Sequence, residues 1–256
     1  MNTKSLFILA GLALCLTAPA IHAEPKTTDA PKITIGNIPA TTAKNDPAAW
    51  DLLKAAHDSR QTFTSDFPGL TADITVNDNG DVKSGTISYG KDGEVKSNVA
   101  GLSADAKEWS EDQASSLIGH RMGGDFAKGE GKNPITFGAD DHSPLGRTVQ
   151  LNDRMQSNYR VRDNQVTEVT RTMGGQKFSI TMLGTTTTDS GKYLPEQFIV
   201  TYFDKNGGVD HVDAYTDSFA NVDGYWLPAT RRVVTTVSGG FHTRILTFRN
   251  VHIQKP

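Results

Sequence analysis

The residues able to do chemistry fall into a few short constellations. His120-Arg121 sets an imidazole beside a guanidinium, a pair that complements the negative end of a helix dipole and can also meet an anionic head group. Arg160, Arg162 and Arg171 lie around the turn Asp163-Asn164, with Tyr159 beside them, and their paired N–H donors suit a phosphate or carboxylate. The competing use is a cross-strand ladder with Asp163 and Glu168, worth about 0.2–1 kcal/mol per pair. Arg160 and Arg162 share one side of their strand, whereas the side taken by Arg171 depends on register. Tyr202 and Trp226, aromatic residues in apolar strands, complete the candidate ligand-binding set.

Other residue patterns point to chemistry without completing it. His211 with Asp210 and Asp213, and His142 with Asp140 and Asp141, have the residue types of an acid–base pair or a metal site, but nothing local joins the two groups. Asp204 to Asp210 alternates oxygen ligands like a calcium loop, yet Val209 stands where glycine is needed and the closing Glu is missing. No Gly-rich phosphate loop, His-Glu-x-x-His helix or Gly-x-Ser-x-Gly elbow occurs. No metal, cofactor or catalytic residue is therefore assigned.

These residues must be positioned by a chain of 256 residues that is 36% hydrophobic and 21% charged, an ordinary composition for one large domain. The formal charge of −3 gives no electrostatic reason to expect nucleic acid. Lys4, the apolar run Ser5 to Leu16 and the small residue of Ile21-His22-Ala23 form the three parts of an export signal. The apolar run is too short for a bilayer span, which needs about 20 residues. Cleavage is expected after Ala23, with Ala20 as the alternative, giving a periodic assignment of 1–23 signal peptide, 24–46 linker and 47–256 single β-rich domain. Cys15, the only cysteine, lies in the segment to be removed, and Leu14 before it is large for a lipidation signal. The mature chain then has no thiol, and thiolate or disulfide chemistry is excluded.

Asp46-Pro47 opens a helix to about Gln61, and Ser103 caps a second that runs to Arg121. The rest alternates strands with Gly-, Asn- and Asp-rich turns: 70–76, 82–89, 94–99, a short piece at 135–137, then 147–152, 157–163, 166–173, 177–186, 195–203, 209–219, 225–237 and 241–253. Such short connections make neighbours antiparallel. The expected fold is α+β: a strongly curved antiparallel meander of roughly ten strands, half-barrel or barrel-like, with two helices packed against it. Apolar residues occur at both parities in the last strand, so both faces of the sheet are expected to need cover.

The run Ser157 to Val166, leading through Val169 to Gly174, resembles a signature of the family known as domain of unknown function 3386. Four further pieces are similar in the same order: Ala55-Ala56-His57 through Phe67-Pro68-Gly69, the strand Gly85 to Tyr89, His120-Arg121, and Val222 through Pro228. The resemblance spans 47 to 253 and implies no catalytic residues, while the export signal departs from the family's cytosolic-looking members. A helix followed by a curved sheet also looks like the lipoprotein-carrier and lipoprotein-sensor half-barrels of the bacterial envelope. That likeness implies shelter for acyl chains on a concave face. The preferred expectation is a periplasmic or secreted protein, without a transmembrane segment after cleavage, that binds a lipid-like or amphiphilic ligand. The alternatives are a scaffold for another envelope protein and, third, a hydrolase using His120 or His211.

Overall fold

The computed structural model describes residues 43–254; the expected signal peptide, Cys15 and most of the expected linker lie outside the described residues. Helix α1, Pro47–Asp58, starts where Asp46 accepts hydrogen bonds from Ala48 N and Ala49 N, with Pro47 at the first helical position. It stops short of the predicted Gln61 because the chain leaves to bridge a strand: Gln61 N donates to Tyr193 O at 2.8 Å and Tyr193 N to Ser59 O at 3.0 Å. Helix α2, Ala104–Gly119, is capped by Ser103 and ends at His120, whose N–H returns to Ser116 O. Among the described residues no helix is long and apolar enough to cross a membrane.

The strands are β1 (Gly69–Asp78), β2 (Asp81–Gly90), β3 (Val95–Val99), β4 (Ile135–Phe137), β5 (Arg147–Leu151), β6 (Asn158–Arg162), β7 (Gln165–Met173), β8 (Gln176–Thr187), β9 (Tyr193–Phe203), β10 (Val209–Val222), β11 (Tyr225–Val237) and β12 (Gly240–Ile253). They form one unclosed, curved sheet of 12 strands rather than roughly ten, in the order β3-β2-β1-β12-β11-β10-β9-β8-β7-β6-β5-β4. All pairings are antiparallel. The one pairing between strands far apart in sequence is β1 with β12, from Leu70 opposite Ile253 to Asp78 opposite Arg244.

Register places three apolar clusters on one face of the sheet, with Arg171, Asp213, Asp217 and Arg231 buried among them. Val169 lies opposite Ile180, Ile180 opposite Val200, Tyr215 opposite Phe198 and Val233, and Ile74 opposite Phe248, and every one of these that is apolar faces the helices. We call this the inner face. Alternate positions put hydroxyls on the other side, where Thr75 meets Ser84 at 3.1 Å, Thr170 donates to Ser179 at 3.2 Å and Ser218 meets Thr230 at 2.7 Å.

The expectation that both faces need cover is thus corrected. In β12 the apolar residues of the wrong parity, Val251 and Ile253, reach the inner core because the register slips beside Asn250, which has φ of 48°. Such a bulge inserts one residue and reverses the alternation beyond it. Both helices accordingly lie on the same face, α1 against β4, β6 and β7 and α2 against β1 and β3.

Gly69 marks the start of β1 at φ of 98°, and a Cβ there would stand 2.1 Å from Tyr89 O. Only glycine fits such a position without displacing the β1–β2 ladder. Gly69→Ala is expected to cost about 1–3 kcal/mol. Urea unfolding should show this as a lowered midpoint at unchanged slope.

Candidate ligand-binding site

Because β3 and β4 are the opposite edges of the sheet yet neighbours in sequence, the connection between them must cross the inner face. That crossing is α2 and the turn after it, which carries His120 and Arg121 inward. The segment after α1 runs alongside: Phe63 N donates to Arg121 O at 2.6 Å, and Gly123 N to Phe63 O at 2.8 Å. The ends of both helices and the strands beneath them therefore meet at one seam.

A basic cluster occupies this seam. Arg231 on β11 donates from Nε and Nη2 to the two carboxylate oxygens of Asp217 at 2.8 and 2.6 Å, and from Nη1 to Gln113 Oε1 at 3.1 Å and Ser116 Oγ at 3.4 Å. Both members of this pair are buried. Ser116 Oγ in turn lies 3.2 Å from His120 Nδ1. Arg171 on β7 donates to the hydroxyl of Tyr159 on β6. Arg121 lies 4.3 Å from the centre of the Phe63 ring and 4.8 Å from that of Phe219. Its three guanidinium nitrogens are buried without a hydrogen-bond partner among the described residues, as is Nε of Arg60.

The electrostatics follow from this crowding. Burial first, then Arg231, Arg60 and Arg171, holds the His120 imidazole down to about 3, so the ring is neutral at physiological pH. Burial first, then Arg60, lowers the Arg121 guanidinium to about 9, with Asp217 opposing. Four guanidinium groups thus act on one region, and the carboxylate that opposes them at Arg121, Asp217, is already engaged on both oxygens by Arg231.

Beside the seam, the inner face of the middle strands is apolar. Phe178, Ile180, Val200, Tyr202, Tyr215 and Val233 form a cluster, with Met173, Met182 and Phe198 half-buried at its margin and Trp109 as its contribution from α2. Phe198 stacks on Tyr215 at 4.5 Å. At its far end Tyr202 stacks on His211 at 4.2 Å, and burial raises the carboxyl of Asp213 above its usual range. The Tyr202 hydroxyl and Asp213 Oδ1 are buried without hydrogen-bond partners.

Residues 44–253 match the model of a family described as protein of unknown function (DUF3386). The chain belongs to that family. No curated protein matches it. Among solved structures, one named as an outer membrane lipoprotein-sorting protein domain from Vibrio parahaemolyticus is 8% identical with a TM-score of 0.35, covering 80% of this chain and 92% of that one. A LolA superfamily protein from Nitrosomonas europaea is 9% identical with a TM-score of 0.31, covering 81% and 94%. A DUF1329 family protein from Desulfovibrio piger is 10% identical with a TM-score of 0.23, covering 83% and 94%. Superpositions this loose carry no conclusion for the DUF3386 chain.

Of the residues singled out in the sequence, the fold brings His120, Arg121, Tyr159, Arg171 and Tyr202 to the inner face. It separates the others. Arg160 and Arg162 alternate with Tyr159 and Val161, whose burial turns both arginines outward. There Arg160 forks onto Asp141 and lies 3.5 Å from Glu168, and Arg162 donates to Pro144 O. Trp226 alternates with the core residues Tyr225 and Leu227 and so stands on the outer side. The helix-capping use of Arg121 is not realised, since its guanidinium bonds no carbonyl. Sequence reasoning missed Arg60, Asp217 and Arg231. The signal for the last two was a charged residue at the parity of Tyr215 and Val233, where the strand otherwise buries apolar side chains.

His211 Nδ1 lies 2.7 Å from Asp210 Oδ2, and His120 meets Ser116 rather than a carboxylate. Among the described residues no three His, Cys, Asp or Glu side chains gather to hold a metal.

Two outcomes follow from this electrostatic arrangement. The folded value of His120, about 3, lies below the 6.5 of a free imidazole, so the unfolded chain takes up a proton that the folded chain refuses. Its contribution to stability is complete above about pH 6.5 and is lost as pH falls toward 3, by roughly 1.4 kcal/mol per pH unit. Urea midpoints at pH 7 and pH 5 should show this loss, and His120→Gln should flatten it. Asp217→Asn, which leaves Arg231 buried and charged, should destabilise the fold by about 3–5 kcal/mol in the same assay at pH 7.

Proposed function

We propose that this DUF3386 chain is an exported, periplasmic or secreted protein that binds a lipid-like or amphiphilic molecule along the inner face of its sheet. Export is supported by the pattern from Lys4 to Ala23. Ligand binding is supported by one observation above all: the main contacts of the two helices fall at either end of the apolar face, and over its middle strands α2 contributes the single large side chain Trp109. Helix α1 lies over β4, β6 and β7, and α2 against β1 and β3, which leaves the strip on β8, β9 and β10 between them.

The firmest ties of α2, Leu117 and Ile118 in the core under β1 and β2 and Gln113 and Ser116 on Arg231, lie to one side of that strip. Toward the sheet α2 buries Ala106, Ser110, Gln113 and Ala114 along with Leu117 and Ile118, so several of its contacts are small or polar. Hydrophobic hold scales with apolar area, at about 25 cal/mol per Å², and small residues supply little of it. Displacing Trp109 and the turns of α2 around it would open the strip to a guest chain without unpairing a strand. A ten-carbon chain transferred from water there gains on the order of 8 kcal/mol, enough for micromolar affinity before ordering costs.

A second reading, a scaffold for another envelope protein, draws on the hairpin tips. Val209, Val237 and Phe241 are exposed large apolar residues at the ends of β9–β10 and β11–β12.

Titration with decanol should blue-shift tryptophan fluorescence, through Trp109, with micromolar saturation. Met182→Asp, at the half-buried margin of the strip, should weaken uptake at least tenfold while leaving far-UV circular dichroism unchanged. A wild-type chain that takes up no decanol to its solubility limit contradicts the proposal.

A further inference from the structure

Arg121 is only 6% exposed, and none of its guanidinium nitrogens has a hydrogen-bond partner among the described residues. A guanidinium carries five N–H donors in a fixed fork and cannot shed its charge at neutral pH. Phe63 and Phe219 flank it with ring faces, which attract the cation but accept none of its N–H groups as an oxygen would. Arg60 close by repels it, and its own Nε is also buried without a partner.

Among the described residues, the protein's own groups do not meet this demand. Asp217 is the one carboxylate acting on Arg121, and Arg231 holds both of its oxygens. The carbonyls at the end of α2 are taken by backbone donors: Ser116 O by His120 N and Ile118 O by Arg121 N. The carbonyl of Arg121 itself accepts from Phe63 N. Arg171 adds a further positive charge across the seam, and His120 stays neutral beside it. A buried cation left in this state is costly, and an anion is what would relieve it.

We infer that the seam between the ends of α1 and α2 binds an oxyanion, a carboxylate or phosphate, gripped by Arg121 and Arg60 with Arg171 adding long-range attraction. This rests on the proposed function in one respect: the oxyanion is the head group of the amphiphile whose chain lies on the neighbouring strip. The ligand class is then a single-chain acid or phosphate monoester rather than a neutral lipid. Phe198, which flanks the Arg231 guanidinium at 5.8 Å and belongs to the margin of the strip, makes the two regions adjacent.

The test compares dodecanoate, dodecanol and inorganic phosphate on the full mature chain at pH 7.5, by calorimetry and by the ¹⁵N-detected Nε–H resonance of Arg121. Dodecanoate should bind roughly ten- to a hundredfold more tightly than dodecanol, the range expected for charge-assisted hydrogen bonds. Arg121→Gln should remove that preference by bringing dodecanoate affinity down to that of dodecanol. Arg60→Gln, farther from the aromatic pair, should reduce the preference in part and guards against a folding defect in the first variant.

Equal affinity for the acid and the alcohol overturns the head-group site and leaves the apolar strip standing. Failure of both amphiphiles, with phosphate alone shifting the Arg121 resonance, upholds the oxyanion site and overturns the lipid reading. Failure of all three probes overturns both.

Discussion

The pairing of β1 with β12 governs where every other element can go. It joins the first and last strands in mid-sheet and so sends β3 and β4, which follow one another in sequence, to opposite edges. A chain that must travel from one edge to the other cannot pass through the sheet, and connections do not thread it. It crosses a face, and the face it crosses becomes the buried one. The arrival of His120 and Arg121 over the middle strands is a consequence of that route and not of any preference in their own segment.

The same route explains an expensive arrangement. Burying a guanidinium without a partner opposes folding, and the interior around the seam contains four guanidinium groups against Asp217. One pair, Arg231 with Asp217, is satisfied on every carboxylate oxygen and reaches on to Gln113 and Ser116. It ties β10 and β11 to α2 and has the form of a structural lock. Arg121 has no such form. Its rings and its neighbours hold it in place while, among the described residues, its donors stay unused. Two arginines of one interior thus differ in whether their hydrogen bonds close.

Most of the architecture was legible because the turns carry their own chemistry. Asn, Asp and Gly at positive φ, such as Asn79-Gly80, Asp163-Asn164 and Asp223-Gly224, mark each hairpin where the sequence places them, and the twelve strands lie between them. What was not legible depends on contacts far along the chain. The end of α1 is decided by Tyr193, the face of Val251 and Ile253 by a slip in pairing with β1, and the partner of Arg231 by the register of β10 on β11. For the candidate site, alternation sorts Tyr159 from Arg160 without ambiguity once a core face is known. It does not reveal that Arg60, from the loop after α1, meets Arg121 from the end of α2.

A single-layer sheet survives only if its edges are closed, and the closures here bear on where a ligand can bind. At one edge the backbone N–H of Ser97 on β3 donates to Glu111 of α2 at 2.9 Å, so the crossing helix also guards the strand. At the other, Ile135 on β4 is bracketed by the approach to α1, with Asp46 N donating to Ile135 O at 2.7 Å and Ile135 N to Asn45 Oδ1 at 3.0 Å. The outer face is answered by its hydroxyl pairs, and a groove of about 620 Å³ between β1, β2, β3 and the end of β12 is lined by groups such as Asp73, Thr86, Lys96 and Asn250. A groove of that lining suits polar guests. With both edges bonded and hydroxyl pairs on the outer face, the apolar side chains of the middle strands are left to the inner face, where the crossing segment buries them beside the arginines it carries.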